Sequence, residues 1–442
     1  MPAALLLKDF LAQKGVQLGD SVEISWKGQT LSATILPQSL QKTDFLDVKL
    51  SSGYNTGLAL PAIQSIKKIP VQEKHSFDSI GNTQKVVAQA PNTPSISLIS
   101  AGGTIGAKVD YKHAGVSALL TPDELLSLIP ELKDFVHIAS ITSPFSKLSE
   151  NMLPHDWIRL AQMVALELNK KEIRGVLLTH GTDTLAYTAA ALSFFLRNLN
   201  KPVVLVGAQR SSDRGSSDAS MNMICASHVA LSDIAEVGIC MHGSSSDAYC
   251  LFNRGTRVKK MHTSRRDAFR PINAKPIAKI APSGTIELLA PARSRSETRP
   301  VEVDAVFDDN IALIKTYPGM TTKVLEEYVR FGCKGFIIEG TGLGHVPESW
   351  VEGIRAITAK GIPIFMVTQP QYGRVNMSVY STGRMLMDAG VVGLEDMLPE
   401  VAFVKLGWVL AHTQKMDEIK KMMLTDYAGE LSTRSEVDTF LY

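Results

Sequence analysis

From residue 95 onward, short runs of branched apolar residues alternate with longer stretches that are apolar on nearly every side. SISLISA (95–101), GVLLTH (175–180), PVVLVGA (202–208) and VGICMHG (237–243) have the length and composition of buried strands, and DTLAYTAAALSFFLRNL (183–199) between them reads as a buried helix. Strands apolar on both faces and separated by helices fit a parallel sheet covered on both sides. After the arginine-rich interval PARSRSETRP (291–300) the pattern returns in NIALIKT, GFIIEGT and IPIFMVT. The reading is therefore an α/β chain with a larger domain at 95–290, a linker at 291–305 and a smaller C-terminal α/β domain at 306–442.

The first 70 residues differ in texture. Apolar positions at helical spacing run through 3–14 and stop at Gly15. GDSVEISWKGQT and LSATILP then alternate with period two around a Lys27-Gly28 turn, and DFLDVKLSSGYNTGLAL continues in that style. Several short strands in so short a span predict a small β-barrel over 1–70. Residues 71–94 are polar and turn-rich without periodicity, and are expected to be a linker.

Composition narrows the function classes. A chain of 442 residues with 45% hydrophobic residues and a net charge of +2 has ample core material and no global basic field for nucleic acid. The four cysteines show no C-x-x-C and no close Cys/His pairing, so neither structural zinc nor a disulfide framework is expected. The first 15 residues are too short and charged too early for a signal peptide, and no apolar stretch reaches the ~20 residues of a membrane span. The expectation is a reduced, cytoplasmic protein with no membrane contact.

In open parallel sheets, ligands collect beyond the carboxyl ends of the strands. Gly102-Gly103-Thr104 follows the first strand; its glycines let backbone N–H groups approach a ligand closely, while a tight turn with a capping threonine is the plainer reading. His180-Gly181-Thr182-Asp183-Thr184 follows the second, where N-capping accounts for one of these side chains but not for all. RGTRVKKMHTSRRDAF (254–269) carries Lys259, Lys260, Arg265 and Arg266: a solvated face, a phosphate contact, or a lysine base near threonine. SKLSENMLPHDW (146–157) clusters Ser149, Glu150 and Asn151 before a helix, and GAQRSSDRGSSDASMN (207–222) is a long polar loop after a strand. Together they suggest acyl transfer by a hydroxyl nucleophile, which needs an adjacent base and donors for the oxyanion.

AGGTIGA, THGTDT and KMHTSRRDAF, in that order on an α/β frame, resemble the bacterial-type asparaginase/glutaminase family over roughly residues 95–440. The resemblance implies a two-domain fold with dimer-built active sites and makes Thr104 the nucleophile. It makes Thr182, Asp183 and Lys260 a second catalytic group, with Lys260 chosen over Lys259 by its distance from the Ala268-Phe269 pair. Tyr111 becomes the tyrosine partner of Thr104, across a gap shorter than in plain asparaginases. Gly103, Ser149 and Glu150 become substrate-binding residues, Glu150 standing where many members have glutamine.

The added N-terminal barrel is absent from plain asparaginases. With GAQRSSDRGSSDASMN and KKMHTSRRDAF, it resembles one branch of the family, the D subunits of archaeal glutamyl-tRNA(Gln) amidotransferases. That resemblance implies a glutaminase that supplies ammonia to a partner, the E subunit, in an α2β2 complex built on a homodimer of this chain. The partner would bind tRNA(Gln), use ATP with Mg2+, and convert Glu-tRNA(Gln) to Gln-tRNA(Gln). No P-loop occurs here and no cofactor or metal is expected in this chain. A free-standing cytoplasmic L-asparaginase and a tRNA-binding scaffold are the alternatives. The barrel region, with eight lysines against seven acidic residues in 1–80, offers no electrostatic argument for tRNA.

Overall fold

The computed structural model describes residues 7–35, 44–50, 55–69, 93–102, 107–110, 115–119, 129–145, 147–210, 217–296 and 298–442. The expected linker at 71–94 lies outside them apart from its last two residues.

The N-terminal unit begins with the helix Leu7–Lys14, which ends at Gly15 with φ +65°, a conformation that costs glycine little. Strands Ser21–Trp26 and Gln29–Ile35 form a hairpin whose two turn residues, Lys27 and Gly28, both have positive φ, as a type I′ turn requires. Five antiparallel strands result, in the order Asn55–Ala59, Phe45–Leu50, Gln29–Ile35, Ser21–Trp26, Ile63–Lys68. Leu58 on one edge and Ile66 on the other belong to a single core with Val22, Ile24 and Ile35.

The large domain is built on an eight-stranded sheet. Five strands are parallel, in the order Val237–His242, Val203–Val206, Ile173–Thr179, Ser95–Ser100, His137–Thr142. Helices Pro154–Leu168 and Leu185–Phe195 bury one face and helix Ala219–Leu231 the other. At one edge the parallel strands are extended by Cys250–Arg254, Ala278–Ile280 and Ile286–Leu288, which add antiparallel. The reason is the short connection 243–249, since a parallel crossover needs a dozen residues or more.

The C-terminal domain holds a four-stranded parallel sheet, Ile311–Lys315, Gly335–Gly340, Ile364–Thr368 and Val392–Gly393. It docks on the large domain through helix Pro399–His412, with Phe194 stacked on Trp408 and Tyr187 set edge-on to Phe403. Their cores are continuous.

Candidate active site

The parallel strands deliver three loops to one end of the large domain. Strand Ser95–Ser100 runs beside Ile173–Thr179, so that Ala101 N–H donates to the carbonyl of Thr179 at 2.9 Å. Next in line is Gly102, with φ +107°; a Cβ there would lie 2.2 Å from the Lys147 carbonyl oxygen, so no side chain fits. Gly103, Thr104 and Tyr111 lie outside the described residues.

The His180–Thr184 turn is packed from both sides. A Cβ at Gly181 would meet Ser149 Cβ at 2.8 Å, and one at Gly207 would meet Thr182 Cγ2 at 2.8 Å. These two glycines let the loops after three elements touch. Ser149 is buried and its carbonyl accepts the Thr184 hydroxyl at 2.6 Å, whereas Glu150 is exposed.

Lys260 comes from a separate two-stranded ribbon, Val258–Lys260 paired with Phe269–Pro271. Its Nζ donates to Thr182 Oγ1 at 2.9 Å and to Asp183 Oδ1 at 2.6 Å. The Lys260 side chain is 16% exposed and that of Asp183 66% exposed. A largely covered lysine is thus coupled to a hydroxyl, with a carboxylate opening to solvent beside it. Such a group can pass a proton between an attacking hydroxyl and a leaving amine. Lys259 turns the other way and pairs with Glu400 Oε1 at 2.6 Å.

His180 plays a different part. It is 1% exposed. Its Nδ1 donates to the Gly181 carbonyl at 2.6 Å, and its Nε2 accepts from the Thr188 hydroxyl at 2.9 Å. Burial pushes its pKa from 6.5 down to about 4. The unfolded chain binds a proton in that window and the folded chain refuses it. Stability is therefore whole above pH 6.5 and falls as the pH drops toward 4, by on the order of 3 kcal/mol in all. Urea midpoints between pH 7.5 and 4.5 should show this slope, and His180→Gln should flatten it; an unchanged slope would assign it to another group.

Two supporting residues lie in the 207–222 stretch without being singled out individually by the sequence. Asp218, fully buried, accepts N–H bonds from Gln209 and Arg210, closing the polar loop that follows Val206. Asn222, four residues on along the same helix, ties Asp218 to the Gly207 carbonyl and to His242. The spacing of Asp218 and Asn222 was the available clue. The basic run is not a bare patch: Arg265 forks onto Asp267 with two bonds of 2.8 Å, and Arg266 binds Asp247 at 2.6 Å. Among the described residues no group of three or more His, Cys, Asp or Glu is placed to hold a metal. No described helix is long and apolar enough to cross a membrane.

This frame matches known families. "Asparaginase, N-terminal" matches residues 95–293, and "Glutaminase/Asparaginase C-terminal domain" matches 310–423. The solved L-asparaginase of Thermococcus kodakarensis aligns with a TM-score of 0.70 and 30% identity, covering 77% of this chain and 100% of its own. L-asparaginase I of Vibrio cholerae aligns with a TM-score of 0.66 and 29% identity, covering 77% and 99%. Ahead of these two domains, "GatD N-terminal domain" matches residues 16–69. The glutamyl-tRNA(Gln) amidotransferase D subunit of T. kodakarensis is 47% identical over 98% of this chain and 98% of its own. The D subunit of Pyrococcus abyssi is 46% identical over 98% and 99%, and that of Sulfolobus acidocaldarius 44% identical over 96% and 94%. The chain belongs to the family of amidotransferase D subunits. Within that family the N-terminal sheet and the asparaginase-like body form one full-length pattern rather than a chance fusion, since similarity at this level runs through both.

Proposed function

We propose that this chain is the glutamine-hydrolysing component of a tRNA-dependent amidotransferase, releasing ammonia for a partner, the E subunit. The observation that carries the reading is full-length similarity to the D subunits, N-terminal unit included, over a body whose Lys260 reaches Thr182 and Asp183. In the reaction the Thr104 hydroxyl oxygen attacks the side-chain amide carbon of glutamine and its proton passes to the base side. The C–N bond breaks, ammonia leaves with the returned proton, and a glutamyl ester forms on Thr104. Water, deprotonated in the same way, cleaves that ester to glutamate. Thr182 and Lys260 act as the proton-handling pair, with Asp183 stabilising the charged lysine. Tyr111 assists Thr104, and Gly103 N–H, Ser149 and Glu150 hold the substrate.

The partner activates Glu-tRNA(Gln) with ATP and Mg2+ and amidates it with the ammonia, while this chain uses no cofactor or metal of its own. The working unit is a cytoplasmic α2β2 assembly, with tRNA(Gln) held mainly by the partner.

Thr104→Val keeps the branched shape and removes the hydroxyl. Ammonia release from glutamine should fall by at least about 1,000-fold in this variant, measured with the partner, ATP, Mg2+ and Glu-tRNA(Gln) present. Full activity in Thr104→Val would remove the nucleophile assignment. Rapid asparagine hydrolysis by the parent chain alone, indifferent to the partner, would make it an L-asparaginase instead.

A further inference from the structure

The segment that carries Lys260 has different chemistry on its two faces. Successive residues of a strand point to opposite sides. Val258 enters the buried core and Lys260 reaches Thr182 in the large domain. Arg257, immediately before the strand, and Lys259 reach instead to carboxylates of the C-terminal domain. Arg257 Nη1 donates to Asp396 Oδ2 at 2.9 Å and its Nε donates to the Gly429 carbonyl at 2.8 Å; the two charged side chains are 4% and 1% exposed. Lys259 meets Glu400 at 2.6 Å, with 22% and 16% exposure. Asp396 and Glu400 stand four residues apart about the start of helix Pro399–His412, and Glu400 lies in its first turn, where the helix field favours an anion.

The two pairs therefore form an interdomain zipper, cations at alternate positions on one side and, on the other, carboxylates from the turn before the helix and from its first turn. The buried Arg257–Asp396 pair is the anchor. The Lys259–Glu400 pair sits on the residue next to Lys260 in the same strand. Its surroundings show how closely the charges are set. Burial raises the Glu339 carboxyl's pKa, with Lys315 and Lys259 opposing and Glu400 adding to the rise. Burial also raises that of the Tyr187 hydroxyl, helped by Glu400 and Glu339. Lys259 is thus a cation set among acids of the C-terminal domain.

We propose that Lys259 and Glu400 are positioning residues for glutamine hydrolysis, through which the docked C-terminal domain holds Lys260 against Thr182. The proposal rests on the reading of Lys260 as a proton-handling residue. Its consequence is that anything shifting the C-terminal domain acts on Lys260 without touching the substrate.

The test uses the full chain with its amidotransferase partner and charged tRNA, and compares Glu400→Gln, Lys259→Met, the swap Lys259→Glu/Glu400→Lys, and Lys260→Met. Misplacement of a catalytic group by about 1 Å costs up to ~100-fold. Glu400→Gln and Lys259→Met should each lower kcat about 10- to 100-fold while KM for glutamine stays within about twofold. Thermal midpoints should stay near the parent's, because the pair is partly exposed. The swap should recover much of the lost kcat. Unchanged kcat in both single variants, with Lys260→Met inactive, would overturn the positioning role and leave the site reading standing. A kcat loss matched by a raised KM or a lowered midpoint, or a swap no better than the singles, would also overturn it. A fully active Lys260→Met would instead remove the site reading and this proposal with it.

Discussion

Lys260→Met is expected to release ammonia from glutamine at least about 1,000-fold more slowly than the parent chain. Methionine matches the lysine stem in length and flexibility but can neither donate to Thr182 nor move a proton. Fold stability should hardly change, because the partner carboxylate of Asp183 is 66% exposed and water replaces the lost contact. The loss should therefore appear in kcat, with the thermal midpoint steady. Lys260→Arg sharpens the result. Arginine keeps the positive charge but does not give up its proton near neutral pH. If Lys260 handles a proton, the arginine variant is nearly as slow as the methionine one. If it supplies only positive charge, the arginine variant keeps substantial activity. A fall of less than tenfold in Lys260→Met, followed by enzymatic detection of glutamate, would place the proton acceptor elsewhere.

The frame that holds this site was legible because it follows from local pattern. Buried strand runs such as VVLV (203–206) and the turn pair Lys27-Gly28 announce their conformation within a few residues. The meeting of Lys260 with Thr182 spans 78 residues, and nothing in either stretch specifies the other. Resemblance to a family, not spacing, joined them. Choosing between Lys259 and Lys260 posed the same difficulty. Strand alternation requires that the two point apart, but which one faces the site shows only in the folded chain, where Lys260 meets Thr182 and Lys259 meets Glu400 of the other domain. In the basic run, 261–265 are exposed as a solvated face would be, while the Arg266 contact with Asp247, nineteen residues away, shows only after folding. Polar contacts distant in sequence are written in three dimensions only.

The second large effect concerns stability and begins at Lys405. This side chain and Glu430 are both fully buried, 2.5 Å apart, and Lys405 Nζ also donates to the carbonyls of Met423 and Thr425. Glu430 in turn accepts the backbone N–H groups of Tyr427 and Ala428. Burial pulls the Lys405 ammonium's pKa below its ordinary value, with Glu430 resisting. Burial pushes the Glu430 carboxyl up, but Lys405 and the hydrogen bonds around it hold the balance below the usual range. Lys405→Met deletes the cation and leaves a buried carboxylate and two carbonyls without it, at a cost of about 3–5 kcal/mol. Lys405→Met/Glu430→Gln removes the stranded charge and should recover part of that loss, so the double variant is expected to unfold at a higher urea concentration than Lys405→Met alone. Equal midpoints would mean that the cost lies in the carbonyls, not in the carboxylate. The damage should also reach the active site. The segment that the pair clamps supplies the Ala428 carbonyl to Thr256, the Gly429 carbonyl to Arg257, and Ser432 to Asp396. Those contacts anchor the strand that carries Lys260. Loosening this clamp should therefore lower kcat in molecules that remain folded, well below the unfolding transition, which would link the buried Lys405–Glu430 pair of the C-terminal domain to Lys260 of the large one.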